Sequence, residues 1–332
     1  MRKLFTLALT MLTLPLCGWH ALPGALPLEK GKWSMATDVR ISSISAREYV
    51  LVKDNAGDEY MLSRLDWELK ALTTLGASFS RQAVAHSGLA NFGIWFGLPT
   101  AGGTMGDYDW AHMDTTGTNL MYDDLWTNFS HHKNKLNHFI SLDGNYFFQA
   151  GSKTLRFVGG GGVFLRSFRM DAYDGYLQYP ADPTTTSPLD TPKTNVYGTG
   201  ITYQLFTLAA YAGCGVIWNP GKIDVSLFGF VTPLTQLKAI DQHLMRHDYG
   251  ADYLEFTDHI DMGWYIYSAL RIGVALSPKM RLQLQAELLL QPKKRGDSYM
   301  ELVGLNAGGW LDQQGASSTR GLSLALRLEF LL

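Results

Sequence analysis

The sequence predicts an all-β fold: a ten-stranded antiparallel transmembrane β-barrel with long extracellular loops and short periplasmic turns. Three observations carry this. The chain opens with an export signal, its later segments alternate apolar and polar residues with period two, and tight turns alternate with long polar segments. Composition agrees. Of 332 residues only 17% are charged, against about 25% in a soluble protein, while 12% are aromatic and 34 are glycine. Lys plus Arg is 28 against 30 Asp plus Glu, so no basic surface marks a nucleic-acid partner.

Arg2 and Lys3 precede an uncharged, mostly apolar run from Leu4 to Leu16, and small residues follow at Gly18, Ala21, Gly24 and Ala25. This reads as a secretory signal over 1–25, leaving 26–332 as a single barrel domain. Cys17 leaves with the signal, so Cys214 remains alone and no intrachain disulfide is available. No later stretch reaches the roughly 20 apolar residues of a membrane helix.

Alternation is plainest near the C-terminus. Met280, Leu282, Leu284, Ala286, Leu288 and Leu290 share one face, opposite Arg281, Gln283, Gln285 and Glu287. Trp264, Ile266, Leu270, Ile272, Val274 and Leu276 alternate with Tyr265, Tyr267 and Arg271, and Leu322–Phe330 repeats the pattern. Strands are expected at 37–53, 59–79, 83–99, 133–149, 152–170, 196–217, 221–237, 260–276, 280–292 and 318–330. Tight turns at Ser80–Gln82, Ala150–Gly151, Trp218–Pro220 and Ser277–Lys279 define one rim. The polar segments 100–132, 171–195, 238–259 and 293–317 define the other. The chain ends Phe330-Leu331-Leu332, where barrels usually finish on an aromatic residue.

A barrel alone specifies no activity, so the polar segments are where chemistry is sought. Two motifs place ionisable groups two residues apart, the spacing that puts side chains on one face of an extended chain. They are Asp107-Tyr108-Asp109 and Asp241-Gln242-His243, both just past odd-numbered strands and so on one rim. His247, Asp248, Asp258 and His259 crowd the second segment, but their spacing matches no standard zinc or calcium pattern, so no metal is assigned. There is no G-x-S-x-G element, and Cys214 lies within a strand. The alternative to an enzyme is a passive barrel, an adhesin or a narrow pore, with loop acids scattered around the rim.

Four ordered blocks resemble the omptin family of outer-membrane proteases. Ser63-Arg64-Leu65-Asp66-Trp67 is similar to its S-x-L-D-W block and Asp107-Tyr108-Asp109-Trp110 to its D-x-D-W block. Trp126-Thr127, Ser130 and His132 are similar to its W-T-x-x-S-x-H stretch, and Asp241-Gln242-His243 to its D-x-H block. The resemblance implies an aspartic endopeptidase in the outer membrane of a Gram-negative bacterium, its site facing outside, acting on peptides or proteins without a cofactor. Asp241 would orient His243 as general base, and Asp107 and Asp109 would hold the attacking water. Glu48 would be one acid of a pocket for basic side chains, and Ala239 stands where the second would be. Arg166 would be the residue left of a lipopolysaccharide-binding stretch. Strict alternation from Ile223 would aim Asp241 and His243 outward, so a bulge is predicted near Pro233.

Overall fold

The computed structural model describes residues 20–24, 30–53, 59–84, 87–110, 127–181, 186–261 and 263–332. Cys17, Trp126 and most of the expected signal lie outside these residues. Within them are twelve strand segments: β1 (Trp33–Lys53), β2 (Glu59–Gln82), β3 (Gly88–Gly97), β4 (Thr100–Asp109), β5 (Asn128–Gly151), β6 (Leu155–Gln178), β7 (Thr194–Trp218), β8 (Ile223–His243), β9 (Tyr253–Asp261), β10 (Tyr265–Ser277), β11 (Met280–Val303) and β12 (Ala307–Leu331). β3 and β4 both pair with β2 and β5, and β9 and β10 both pair with β8 and β11, so each couple is one interrupted stave. Ten staves result, every pairing is antiparallel, and β1 closes the ring by pairing with both β2 and β12.

Inside and outside follow the predicted alternation. Along β10, Ile266, Leu270, Ile272, Val274 and Leu276 are exposed, whereas Tyr265, Tyr267 and Arg271 are buried. With Trp33, Trp218 and Trp264 also exposed, these side chains form an apolar belt with tryptophans at its edges, the outer surface a bilayer requires. The interior is polar and internally paired. Arg40 pairs with Glu287 and Asp38, and Arg281 Nη1 lies 2.7 Å from Asp224. Trp95 Nε1 donates to Asp38 at 3.1 Å. Burying these charges is tolerable because partners replace the water they lose. Residues 20–24, within the expected signal, run inside this lumen, where His20 Nδ1 is 2.8 Å from Asp143.

The expected long loops are mostly strand. Six strands, β2, β5, β6, β7, β11 and β12, reach 24 or 25 residues, where about 9–11 suffice to cross a bilayer. The walls therefore stand well above the apolar belt on the long-loop side. The expected boundaries fell short because the outer face turns polar there, as at Gln236 and Lys238, and hydropathy no longer contrasts the two faces.

β8 contains the predicted bulge. Ala210 pairs with Leu234 and Ala212 with Val231, leaving two residues, Thr232 and Pro233, opposite Tyr211 alone. Buried positions are even-numbered from Asp224 to Thr232 and odd-numbered from Thr235 to His243. Proline has no N–H to give the ladder, and a bulge is where its absence is tolerated. One extra residue thereby turns Asp241 and His243 inward.

Candidate active site

At the top of β8, Asp241 and His243 share the inner face two residues apart. His243 Nε2 lies 2.6 Å from Asp241 Oδ2, with the residues 6% and 1% exposed. Burial alone would lower the imidazole pKa, but the charge and hydrogen bond of Asp241 outweigh it and the net shift is upward. With Nε2–H donating a hydrogen bond to Asp241 Oδ2, the neutral ring keeps its lone pair on Nδ1.

Four staves away, β4 brings in the second pair. It lies between β2 and β5, with Asp107 opposite Leu65 and Ser130, and Asp109 opposite Ser63 and Asn128. Burial, then the charge of Asp109, pushes Asp107 up to about 8. Burial likewise raises Asp109. With both carboxyls raised, the pair keeps a proton at neutral pH, because ionising one beside the other's charge is disfavoured. The Ser63 hydroxyl donates to Asp107 Oδ1 at 3.5 Å.

Asp107, Asp109 and His243 line one cleft of about 660 Å³ that opens at the long-loop rim, and Asp241 stands directly behind His243. The acids thus converge, where the passive-barrel alternative expects them scattered. The cleft also receives Ser130 and His132, whose Oγ and Nε2 are 3.1 Å apart, while His132 Nδ1 lies 3.2 Å from the Asp174 carbonyl. Burial lowers the His132 pKa, which keeps the ring neutral. In the sequence these two belong to a motif that carries no assigned role, although their two-residue spacing is that of the other pairs. Tyr179 and Arg246, also on the cleft wall, carried no sequence signal.

Glu48 points inward from β1, 1% exposed, and burial, followed by the charges of Asp241, Asp258 and Asp107, raises its pKa well above the usual range. The crowded segment near β9 divides. Asp258 is buried, its pKa pushed to about 7 by desolvation, while His259 packs against the Trp310 ring at 5.7 Å. Among the described residues no His, Cys, Asp and Glu group has the geometry to hold a metal ion.

The expectation for Arg166 is corrected. Val163 and Leu165 face outward, so Arg166 faces in, 4% exposed, with its guanidinium 5.0 Å from the Phe164 ring centroid. A lipid on the outer wall is beyond its reach. Outward cations of this region include Arg169 and Lys135, which flank Asp171 at 3.3 and 3.7 Å.

A family model described as the Omptin family matches residues 30–322. The crystal structure of the outer-membrane protease OmpT from Escherichia coli superposes with a TM-score of 0.80 at 15% identity, covering 93% of this chain and 100% of that one. The β domain of the Bordetella autotransporter BrkA gives a TM-score of only 0.34 at 11% identity, over 91% of this chain and 100% of that one. No curated protein matches by sequence.

Proposed function

Because this chain belongs to the Omptin family, it is an outer-membrane protease, and we propose that it cleaves peptide bonds with a water molecule activated between Asp241–His243 and Asp107–Asp109. The observation that carries this reading is the convergence of both pairs on one cleft. His243 Nδ1 takes a proton from the water as the oxygen attacks the peptide carbonyl, and Asp241 stabilises the imidazolium that forms. The proton held between Asp107 and Asp109 positions the water. It also offers a hydrogen bond to the oxyanion, which a fully ionised pair could not. His243 then returns its proton to the departing amine. The substrates are peptides or exposed protein segments, with Glu48 below the cleft selecting a basic side chain before the cut.

Ser130 and His132 suggest a second reading, a serine nucleophile, since the pair is hydrogen-bonded and lines the cleft. It is the weaker one. His132 has a backbone carbonyl behind it where His243 has a carboxylate, so an imidazolium there would be less stabilised. Lipopolysaccharide, if it supports activity, would meet the outer wall at Arg169 and Lys135, not Arg166.

The test is digestion of a mixed peptide library by the purified, refolded protein, with and without lipopolysaccharide, with products read by mass spectrometry. Cleavage that survives a serine-directed fluorophosphonate supports the water mechanism. A covalent adduct at Ser130 with loss of activity would replace it by the serine mechanism, and no cleavage of any peptide would refute both.

A further inference from the structure

Beneath the cleft lies a layer of buried polar groups that the hydrolytic mechanism does not use. Glu48, Tyr203 and Asp258 each stand two residues down the strand from a cleft-lining neighbour, respectively Val50, Ile201 and Phe256. Asp241 stands in the same relation to His243. Two residues of strand span about 6–7 Å, close to the reach of an extended Lys or Arg side chain.

The register sets Asp258 into this layer. β9 pairs Asp258 directly with Ala239 of β8, and the two are 2% and 1% exposed. Side chains so paired have their Cβ atoms about 4.5–5.5 Å apart, so an acid at 258 serves the same volume as one at 239. The Asp258 carboxylate lies over Gly315 of β12, where an added Cβ would come within 2.6 Å of Oδ1. Gly315 is paired with Val50 of β1, and Ser317, two residues on, with Glu48. The two acids therefore approach each other across β12.

No cation answers them. Among the described residues neither Glu48 nor Asp258 forms an ion pair with Lys or Arg, and Glu48 Oε2 is buried without a hydrogen-bond partner. Buried hydroxyls surround them, Ser298 beside Asp258 and Ser317 beside Tyr203, but none carries a positive charge. Acids and acceptors left in this state are costly, and a cationic side chain entering from the cleft would satisfy several at once. The lumen charges lower down, by contrast, are paired within the protein.

We infer that Asp258 supplies the second carboxylate of the pocket, acting with Glu48 to bind the Lys or Arg side chain of the substrate in place of the acid that Ala239 lacks. The inference rests on the protease reading and adds to it a specificity-determining residue, drawn from β9 across the sheet. Loss of an acid at 239 then need not weaken basic selection, because its cross-strand neighbour provides one.

The test compares kcat/KM for two peptides differing only in Arg or Gln before the cut, in the full-length refolded protein. In Asp258→Ala the Arg-to-Gln ratio is expected to fall at least tenfold, and Asp258→Asn, which keeps size and shape, should do the same if the alanine variant fails to fold. Adding Ala239→Asp to Asp258→Ala is expected to recover most of the ratio. A ratio unchanged in the asparagine variant overturns the inference while leaving the protease reading intact. So does a wild-type protein that cleaves both peptides equally. A wild-type protein that cleaves no peptide overturns both.

Discussion

Asp241 Oδ2 and His243 Nε2 are 2.6 Å apart on the inner face of one strand, two residues from each other and above the Thr232–Pro233 bulge that turned them inward. That contact sets the protonation state on which the proposed hydrolysis depends. Asp241 raises the His243 pKa above 6.5, and Asp107, across the cleft, holds its proton to about 8. The base must be neutral and the carboxyl pair must keep one proton. Activity is therefore expected to rise above pH 6.5 and fall near pH 8, as the coupled groups lose the shared proton. A kcat/KM profile checks this, and in the residual activity of Asp107→Asn the alkaline limb should move upward.

Stability follows pH with a definite sign. Asp107 and Asp258 both titrate in the folded protein far above 3.8, at about 8 and about 7, so the folded state binds more protons than the unfolded one between those limits. The contribution is full below about pH 4 and is lost as pH rises towards 8. Asp107→Asn and Asp258→Asn should each stabilise the upper barrel at pH 8 relative to pH 5, on the order of 1–3 kcal/mol. Thermal unfolding followed by the gel-mobility shift of the folded barrel at both pH values measures it.

Pro233 supplies the phase of the upper strand. Deleting it removes the extra residue opposite Tyr211 and would turn Asp241 and His243 to the outer face, since a one-residue slip exchanges the faces of a strand. The deletion is expected to reduce peptide cleavage at least about a hundredfold, as misplaced catalytic groups do. Membrane insertion, which depends on the belt below, should persist. Pro233→Ala, which keeps the residue count, should stay within about tenfold of wild type.

Arg166 and Arg169 differ in face. If lipopolysaccharide activates the protein, Arg169→Ala should raise the concentration needed for half-activation by roughly tenfold, the scale of one charged hydrogen bond. Arg166→Gln should leave that concentration within about twofold, because its side chain lies inside the wall. Titration of both variants with purified lipopolysaccharide decides the matter.

Much of the barrel was legible because the bilayer imposes a contrast that sequence records directly. Leu282, Leu284 and Leu288 had to alternate with Arg281, Gln283 and Glu287 wherever lipid lies on one side. The contrast faded above the belt, which is why β4 and the upper part of β8 read as loops. Asp107–Asp109 and Asp241–His243 were visible because two-residue spacing is local, and strict counting of the same alternation exposed the need for a bulge at Pro233. Counting from Val163 and Leu165 would also have placed Arg166 inside, where resemblance alone had put it on the lipid. Asp258 was not legible as a partner of Glu48. Bringing them together takes the β8–β9 register and the closure of β1 on β12, long-range pairings that no local pattern states.

The central claim is that Asp241 and His243 act as one base on the water. The most direct measurement is kcat/KM on a single peptide for Asp241→Ala and His243→Ala, in protein shown to be folded by gel mobility. Each variant is expected to lose about 10³–10⁴-fold, the scale at which removing a catalytic base or its orienting carboxylate acts. Cleavage retained within tenfold of wild type in either folded variant would contradict the account.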